Sequence, residues 1–364
     1  MKIKNKNYKT IWFNHKSECV EIIDQTRLPH SLNVVDLKNL DDVIKAIKIM
    51  QVRGAPLIGG AAAFGLVMAM KSDPSNENLR DASKELISAR PTAVNLRSAV
   101  REMNEKLKDL NNGDRYEAAI VAAEDFCKKD EDCCRQIGMY GKKIISDFIE
   151  KNDTNKINIL THCNAGWLAT IDWGTATSPI YHAAKDGIEI HVWVDETRPR
   201  NQGASLTSYE LTNEGIANTI IADNTGGLLM SQGDVDICIT GTDRVLSNGD
   251  VINKIGTYLK ALAAYDNDIP FYVALPGTTI DQENNKVTEN MIEYRSADEL
   301  THVEGIDDNQ NIKKVRIYPE MCNVINPAFD ITPGRLVTGL ITEKGIFKST
   351  KEGLSEYHLT EPKL

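Results

Sequence analysis

Residues 159–170 read ILTHCNAGWLAT, an apolar run that passes straight into His-Cys-Asn-Ala-Gly. An unbroken apolar run suits a strand buried on both faces. Open α/β sheets collect their ligands at the carboxyl ends of strands. Cys163 would stand at such an end, with small residues after it. A solitary cysteine is also an ordinary small buried hydrophobe, so the surrounding pattern has to decide.

Downstream of Lys156, short β-rich runs alternate with helical ones. The β-rich runs are INILTHC, EIHVWVDE, NTIIAD, DICITGTD, FYVALP and VRIYP. TATSPIYHAAKDG, SLTSYELTNEG, GGLLMSQGD and NKIGTYLKALAAYDND lie between them. This βαβα rhythm predicts an α/β fold with a Rossmann-like, mostly parallel sheet and helices on both faces. Upstream, TIWFN, CVEIIDQT and LNVVDL predict a short antiparallel sheet. From Asp41 the apolar spacing turns helical, starting with LDDVIKAIKIM and its acidic first turn. The expected division is a smaller N-terminal domain, residues 1–150, and a Rossmann-like catalytic domain, residues 151–364. The polar span 281–311 reads as a long excursion over an active site.

The balance of 42 Lys+Arg against 52 Asp+Glu leaves −10, so no basic field for general nucleic-acid binding is expected. The basic start, MKIKNKNYKTIWFNHKS, has no apolar segment behind it and does not read as a secretory signal. IGGAAAFGLVMAM, residues 58–70, is too short to span a bilayer and reads as a buried helix. The seven cysteines follow no C-x-x-C or Cys/His pattern. A reduced, cytoplasmic setting with no metal centre is expected. Adjacent Cys133 and Cys134 read as one buried and one exposed position of a helix.

Four predicted strand ends carry unusual residues: THCNAG, DETRPRNQGASLTSYEL, ADNTGG and TGTDRVLSNGDVINKIGTY. Each has a plain structural reading. Asp195 and Glu196 suit a helix cap, Asp223-Asn224 suits a turn, and Asp243 suits a loop. Their convergence on one sheet edge favours a site. A dinucleotide is a poor candidate, because HCNAGWLATIDWG is not G-x-G-x-x-G, and no Walker A motif occurs. A phosphate is a better one. Asn253-Lys254-Ile255-Gly256-Thr257 is expected to open a helix whose N–H groups and dipole face an anion. RGAPLIGG joins Arg53 to a Gly/Pro-rich helix entry, and Arg90 precedes Pro91 and so lies off-helix. Surface ion pairing is the plain alternative for either arginine.

Taken together, RGAPLIGGAAAFGL, RPTAVNL, ILTHCNAG, HVWVDETRPRNQGASLTSYEL, DNTGG, GTDRVLSNGDVINKIGTY, FYVALP and NPAFDITP with TGLITEKG resemble the methylthioribose-1-phosphate isomerases. That family is related to ribose-1,5-bisphosphate isomerases and to regulatory subunits of translation initiation factor 2B. The resemblance implies catalysis by Cys163 and Asp243, with substrate held by Arg53, Gly54, Ala55, Arg90, Gln202, Asn253 and Lys254. It implies a homodimer that needs no nucleotide or metal cofactor, and a sugar phosphate as the small-molecule substrate. The expected reaction turns a 5-modified aldose 1-phosphate into the ketose 1-phosphate. The phosphorylated anomeric oxygen forbids ordinary ring opening, so an acid must protonate the ring oxygen. Asp243 is the candidate acid, with its pKa raised by desolvation, and Cys163 would act at C1–C2 by an enolate or a hydride shift. MIEYRSADEL, YPEMCNVI, Trp167 and Trp173 depart from the family pattern. They leave 5-deoxyribose 1-phosphate as an alternative substrate, beside ribose 1,5-bisphosphate and a non-catalytic regulatory role.

Overall fold

The computed structural model describes residues 1–91, 93–288 and 291–361. Thr92 of the RPTAVNL stretch, positions 289–290 of the 281–311 span and the last three residues of the 151–364 span lie outside the described residues.

Three antiparallel strands, β1 (Ile11–Asn14), β2 (Cys19–Ile23) and β3 (Val34–Leu37), form the expected small sheet. Five helices follow: α1 (Leu40–Lys48), α2 (Ala55–Ser72), α3 (Asn76–Ala89), α4 (Val94–Leu107) and α5 (Asn112–Asn152). The Asn39 side chain accepts from Asp42 N and starts α1, while Ser75 does the same for α3 through Asn78 N. Helix α2 is apolar all round, and its residues from Leu57 to Met70 are buried between α4, α5 and the sheet. It outruns the 58–70 apolar stretch and is long enough to cross a bilayer, but it is packed inside the protein. Helix α5 is one continuous element of 41 residues. Its first half, including Ala119, Ala123 and Cys127, packs into the core around α2. Its second half, including Ile137, Ile144 and Ile145, packs into the core beneath the large sheet.

The remaining elements, in chain order, are β4 (Lys156–Thr161), α6 (Ser178–Lys185), β5 (Glu189–Asp195), α7 (Ser208–Asn213), β6 (Ala217–Ile221), α8 (Gly226–Ser231) and β7 (Ile237–Thr240). Next come β8 (Arg244–Leu246), β9 (Val251–Lys254), α9 (Thr257–Asp266), β10 (Phe271–Ala274), β11 (Ile280–Asp281), α10 (Ala297–Thr301), β12 (His302–Ile306) and β13 (Ile312–Arg316). The chain finishes with β14 (Phe329–Thr332), β15 (Gly339–Thr342), β16 (Gly345–Phe347) and α11 (Lys351–Leu359). The large sheet has the order β16-β15-β10-β7-β4-β5-β6, parallel throughout except for β16. Its central strands are buried on both faces, as their unbroken apolar runs require. A second sheet, β11-β8-β9-β14, stands beside it.

Two expectations are corrected here. VRIYP is not a strand of the parallel sheet: Val315 and Arg316 belong to the exposed hairpin β12–β13. The alternation of Lys and Arg with Val and Ile suits a ribbon in water. The missing parallel strand is GLIT, which is wholly buried. Likewise Asn253 and Lys254 end strand β9, and the helix begins only at Thr257. Gly256, at φ +105°, makes the corner between them.

Candidate active site

Strand β4 is laid down first, and the chain moves outward to β5 and β6 before crossing back to β7, β10 and β15. That is the doubly wound order, with its reversal between β4 and β7, where a crevice opens at the carboxyl ends. Thr161 closes β4 and Thr240 closes β7. Cys163 and Asp243 follow them directly, so the topology alone delivers thiol and carboxyl to the same crevice. A cavity opens there, at the carboxyl ends of the strands. Arg53, Gly54 and Ala55 line it from the start of α2, Cys163 and Asn164 from the loop after β4, and Asp243 and Asn253 from the β7–β9 region. Arg90, Gln202 and Lys254 are not among its lining residues.

The Cys163 loop is tightly laced. Cys163 has φ +68°, a left-handed conformation that a side chain adopts only when its surroundings enforce it. Its N–H donates to Thr197 Oγ1 at 2.8 Å, and its carbonyl accepts from Thr207 Oγ1 at 2.7 Å. Thr197 is fixed in turn, its N–H donating to Asp223 Oδ1 at 2.7 Å. The loops after β4, β5 and β6 thus hold one another, and Asp223 anchors backbone rather than facing a ligand.

The cavity sits in a field of cations. Burial lowers the Arg53 pKa, opposed by the acidic groups of Cys163, Asp243 and Glu210. Burial likewise lowers that of Lys254, opposed by Cys163 and Asp243 and aided by Arg295 and Arg53. Lys254 Nζ donates to the Ala328 carbonyl at 3.0 Å and lies over the Phe329 ring. Arg90 is lowered by burial and by Arg295, and pairs with Glu293 at 3.4 Å. Glu293 and Arg295 come from the 281–311 excursion, which therefore does reach the edge of this field. Gln202 is buried just before the π-helical turn Gly203–Thr207, and its Oε1 has no hydrogen-bond partner among the described residues.

The helix end that faces the cavity is not the expected one. At α9 the N–H groups of Gly256 and Tyr258 are taken by Asp330 Oδ2, at 2.7 and 3.2 Å. That dipole is answered by the protein's own carboxylate. Helix α2 opens on the cavity instead, with no side-chain cap and with Gly54 at φ +93°. A Cβ on Gly54 would stand 2.3 Å from the Ala169 carbonyl oxygen, so only bare backbone fits there.

Trp167 is fully buried among apolar residues under the sheet, and Trp173 stacks on His182 with ring centroids 4.5 Å apart. Neither lines the cavity, and Trp167 is a core residue. Three polar residues around the cavity escaped the sequence reading. His162 is buried with Nδ1 at 2.8 Å from Asp195 Oδ2 and Nε2 at 2.8 Å from the Ile255 carbonyl. Glu210 is buried behind Asn164, and Arg295 faces Arg90. Only the HC of HCNAG and the terminal EL of SYEL hinted at the first two. His162, Asp195 and Asp223 approach one another as metal ligands would. The Lys260 ammonium fills that place, 3.0 Å from Asp195 Oδ2 and bonded to the Asp223 carbonyl.

A thiol and a carboxyl meet at a Rossmann-type switch point, with Arg53 in the cavity wall and Arg90, Lys254 and Arg295 beyond it. Residues 51–349 match the initiation factor 2 subunit family. The methylthioribose-1-phosphate isomerase of Brucella anthropi is 52% identical over 97% of this chain and 98% of its own. That of Paramagnetospirillum magneticum is 53% identical over 97% and 98%. Among solved structures, 5-methylthioribose 1-phosphate isomerase from Pyrococcus horikoshii OT3 superposes with a TM-score of 0.83 at 35% identity, covering 98% of this chain and 97% of that one. Translation initiation factor eIF-2B, subunit delta, from A. fulgidus gives 0.79 at 36% identity, covering 97% and 98%. The chain belongs to the methylthioribose-1-phosphate isomerases, within the initiation factor 2 subunit family.

Proposed function

We propose that the protein converts S-methyl-5-thioribose 1-phosphate into S-methyl-5-thioribulose 1-phosphate, an aldose–ketose isomerisation of methionine salvage. The observation that carries this reading is the meeting of Cys163 and Asp243 at one cavity beside Arg53. The phosphate takes the uncapped α2 N-terminus beside Arg53, where the helix dipole and a fixed charge both favour a dianion. Arg90 and Lys254 add to the same field, and Asn253 and Gln202 serve the sugar hydroxyls. Asp243 protonates the ring oxygen as the ring C1–O bond breaks. The hydrogen on C2 passes to C1, directly as hydride or by way of the Cys163 sulfur as a proton, and the C2 hydroxyl gives up a proton that replaces the one Asp243 donated. No atom is gained or lost. Enclosure in a cavity of fixed donors supports the charge that develops on the way. The reading extends to a cytoplasmic homodimer. The test is turnover measured side by side on methylthioribose 1-phosphate, 5-deoxyribose 1-phosphate and ribose 1,5-bisphosphate. The methylthio sugar should be the best substrate, and a preference for the bisphosphate would refute the assignment.

A further inference from the structure

Behind the cavity a buried carboxylate is bonded on both oxygens. Glu210 Oε1 accepts from Asn164 Nδ2 and from Leu168 N, each at 2.9 Å. Its Oε2 accepts from Trp167 N at 3.1 Å and from the Tyr181 hydroxyl at 3.2 Å. Three of these four donors belong to the loop that carries Cys163. The approach is possible because Gly166 lacks a side chain: any Cβ there would overlap the Glu210 carboxylate. Burial pushes the Glu210 pKa up to about 7, against the hydrogen bonds and the nearby Arg53. A site this costly to ionise calls for a reason beyond filling space.

The bonds run in one direction. Asn164 presents its amide N–H groups to Glu210 and, at 3.2 Å, to Thr207 Oγ1, which itself donates to the Cys163 carbonyl. The Asn164 Oδ1 is therefore turned the other way, where Arg53 donates to it at 2.5 Å and to the Asn164 carbonyl at 3.0 Å. An asparagine amide is nearly symmetric in shape, and only its partners decide which end is the acceptor. Glu210 makes that decision together with Thr207, whose hydroxyl hydrogen is already given to Cys163. We infer that Glu210 is a positioning residue for the isomerase reaction, which fixes the Asn164 amide so that Arg53 is aimed into the cavity for the substrate phosphate. The inference rests on the isomerase reading only for the identity of the substrate.

The polarity of the chain gives the test. In Glu210→Gln one oxygen becomes an NH2 group, which meets a backbone N–H whichever way it turns. Facing Asn164, it reverses that amide and takes the acceptor from Arg53. Asn164→Asp alone sets two carboxylates against each other. The double variant Asn164→Asp/Glu210→Gln restores a donor facing an acceptor between residues 164 and 210 and leaves two links mismatched, the Leu168 N–H and the Thr207 hydroxyl, with the charge moved one step towards Arg53. KM and kcat for methylthioribose 1-phosphate are measured, together with Kd for inorganic phosphate and Tm. Each single variant should raise KM and phosphate Kd by roughly tenfold, with kcat within about threefold, and the double variant should recover most of the loss. Wild-type KM and phosphate affinity in Glu210→Gln, or single effects that merely multiply in the double variant, would overturn the inference. If Glu210→Gln does not fold, Asn164→Ala takes its place, and unchanged phosphate affinity there counts equally against it. A wild-type protein that binds phosphate but leaves the methylthio sugar untouched would sink the isomerase reading, while the phosphate titrations still judge Glu210.

Discussion

Gly54→Ala adds one methyl group at the place where helix α2 meets the Cys163 loop. Gly54 has φ +93°, and a Cβ there would lie 2.3 Å from the Ala169 oxygen, 2.6 Å from its Cα and 2.7 Å from its Cβ. Left-handed backbone costs alanine about 1–2 kcal/mol, and forcing a methyl into a filled space costs about 1–3 kcal/mol more. A loss of about 3–5 kcal/mol falls inside that sum. With an unfolding entropy of about 2.1 cal/mol/K per residue over 364 residues, Tm should drop by about 4–7 °C. Two of these contacts are backbone atoms and the third is the Cβ fixed to them, so they relax only if one segment retreats by about 1 Å to reach ordinary contact distance. That retreat displaces Arg53 from the loop bearing Asn164 and Cys163. A misplacement of this size is worth on the order of 10²-fold in rate, so kcat/KM should fall by about that much. Gly113→Ala is the matched control: it lies in the first turn of α5, where an added Cβ meets nothing within 4 Å. There the same change should stabilise by about 0.5–1 kcal/mol and leave the kinetics alone. Differential scanning calorimetry and steady-state assays on both variants decide the matter. Wild-type Tm and kcat/KM in Gly54→Ala would refute the reasoning.

Other perturbations separate roles within the site. Asp243→Asn should still bind substrate while kcat falls by about 10²–10⁴-fold, the usual worth of one acid–base group; a pure KM effect would assign Asp243 to binding. Cys163→Ser should fold with a similar Tm and lose most turnover, and near-normal kcat would return the thiol to a packing role. Exhaustive chelation should leave activity intact, since Lys260 fills the place that His162, Asp195 and Asp223 enclose; recovery of lost activity on adding a divalent ion would contradict this. Asp130, which accepts from Ile171 N at 3.0 Å, has its pKa raised to about 7 by burial. Its folded pKa exceeds the unfolded one, so the folded state holds a proton that the unfolded state has released between about pH 4 and 7. Stability from this group therefore falls as pH rises through that window. Asp130→Asn should be more stable than the wild type at pH 8 by about 1–3 kcal/mol and should lose that advantage by pH 4–5 in urea melts. An advantage independent of pH would point to packing instead.

The switch-point chemistry was legible because it is written locally. A strand's apolar run and the two or three residues after it place Cys163 and Asp243 with no knowledge of distant contacts. VRIYP misled because period-2 alternation does not distinguish an exposed ribbon from a sheet strand, whereas burial on both faces, as in GLIT, does. Asn253-Lys254 was misplaced because the corner at Gly256 sits later than the polar residues suggested. The anion-facing helix was assigned to α9 because Asp330 lies more than seventy residues from the N–H groups it takes. Glu210 and His162 failed for the same reason. Glu210 spends its carboxylate on residues from 164 to 181, and His162 spends its ring on Asp195 and Ile255. A single sequence prints those residues without printing their partners.

Helix α5 acts as a shared beam between the core around α2 and the core beneath the large sheet. At 1.5 Å per residue its 41 residues reach about 60 Å. If either core melted alone, about half of that helix would be stripped of its packing, and a free segment of some twenty residues is only marginally helical in water. Melting one end therefore exposes an apolar stripe and frays the support of the other. The two cores should share one unfolding transition, with amide exchange in the middle of α5 among the slowest in the molecule. The cavity, which takes Arg53 from one core's edge and Cys163 and Asp243 from the other's, would then disappear in that same step, with no half-built intermediate left to bind phosphate.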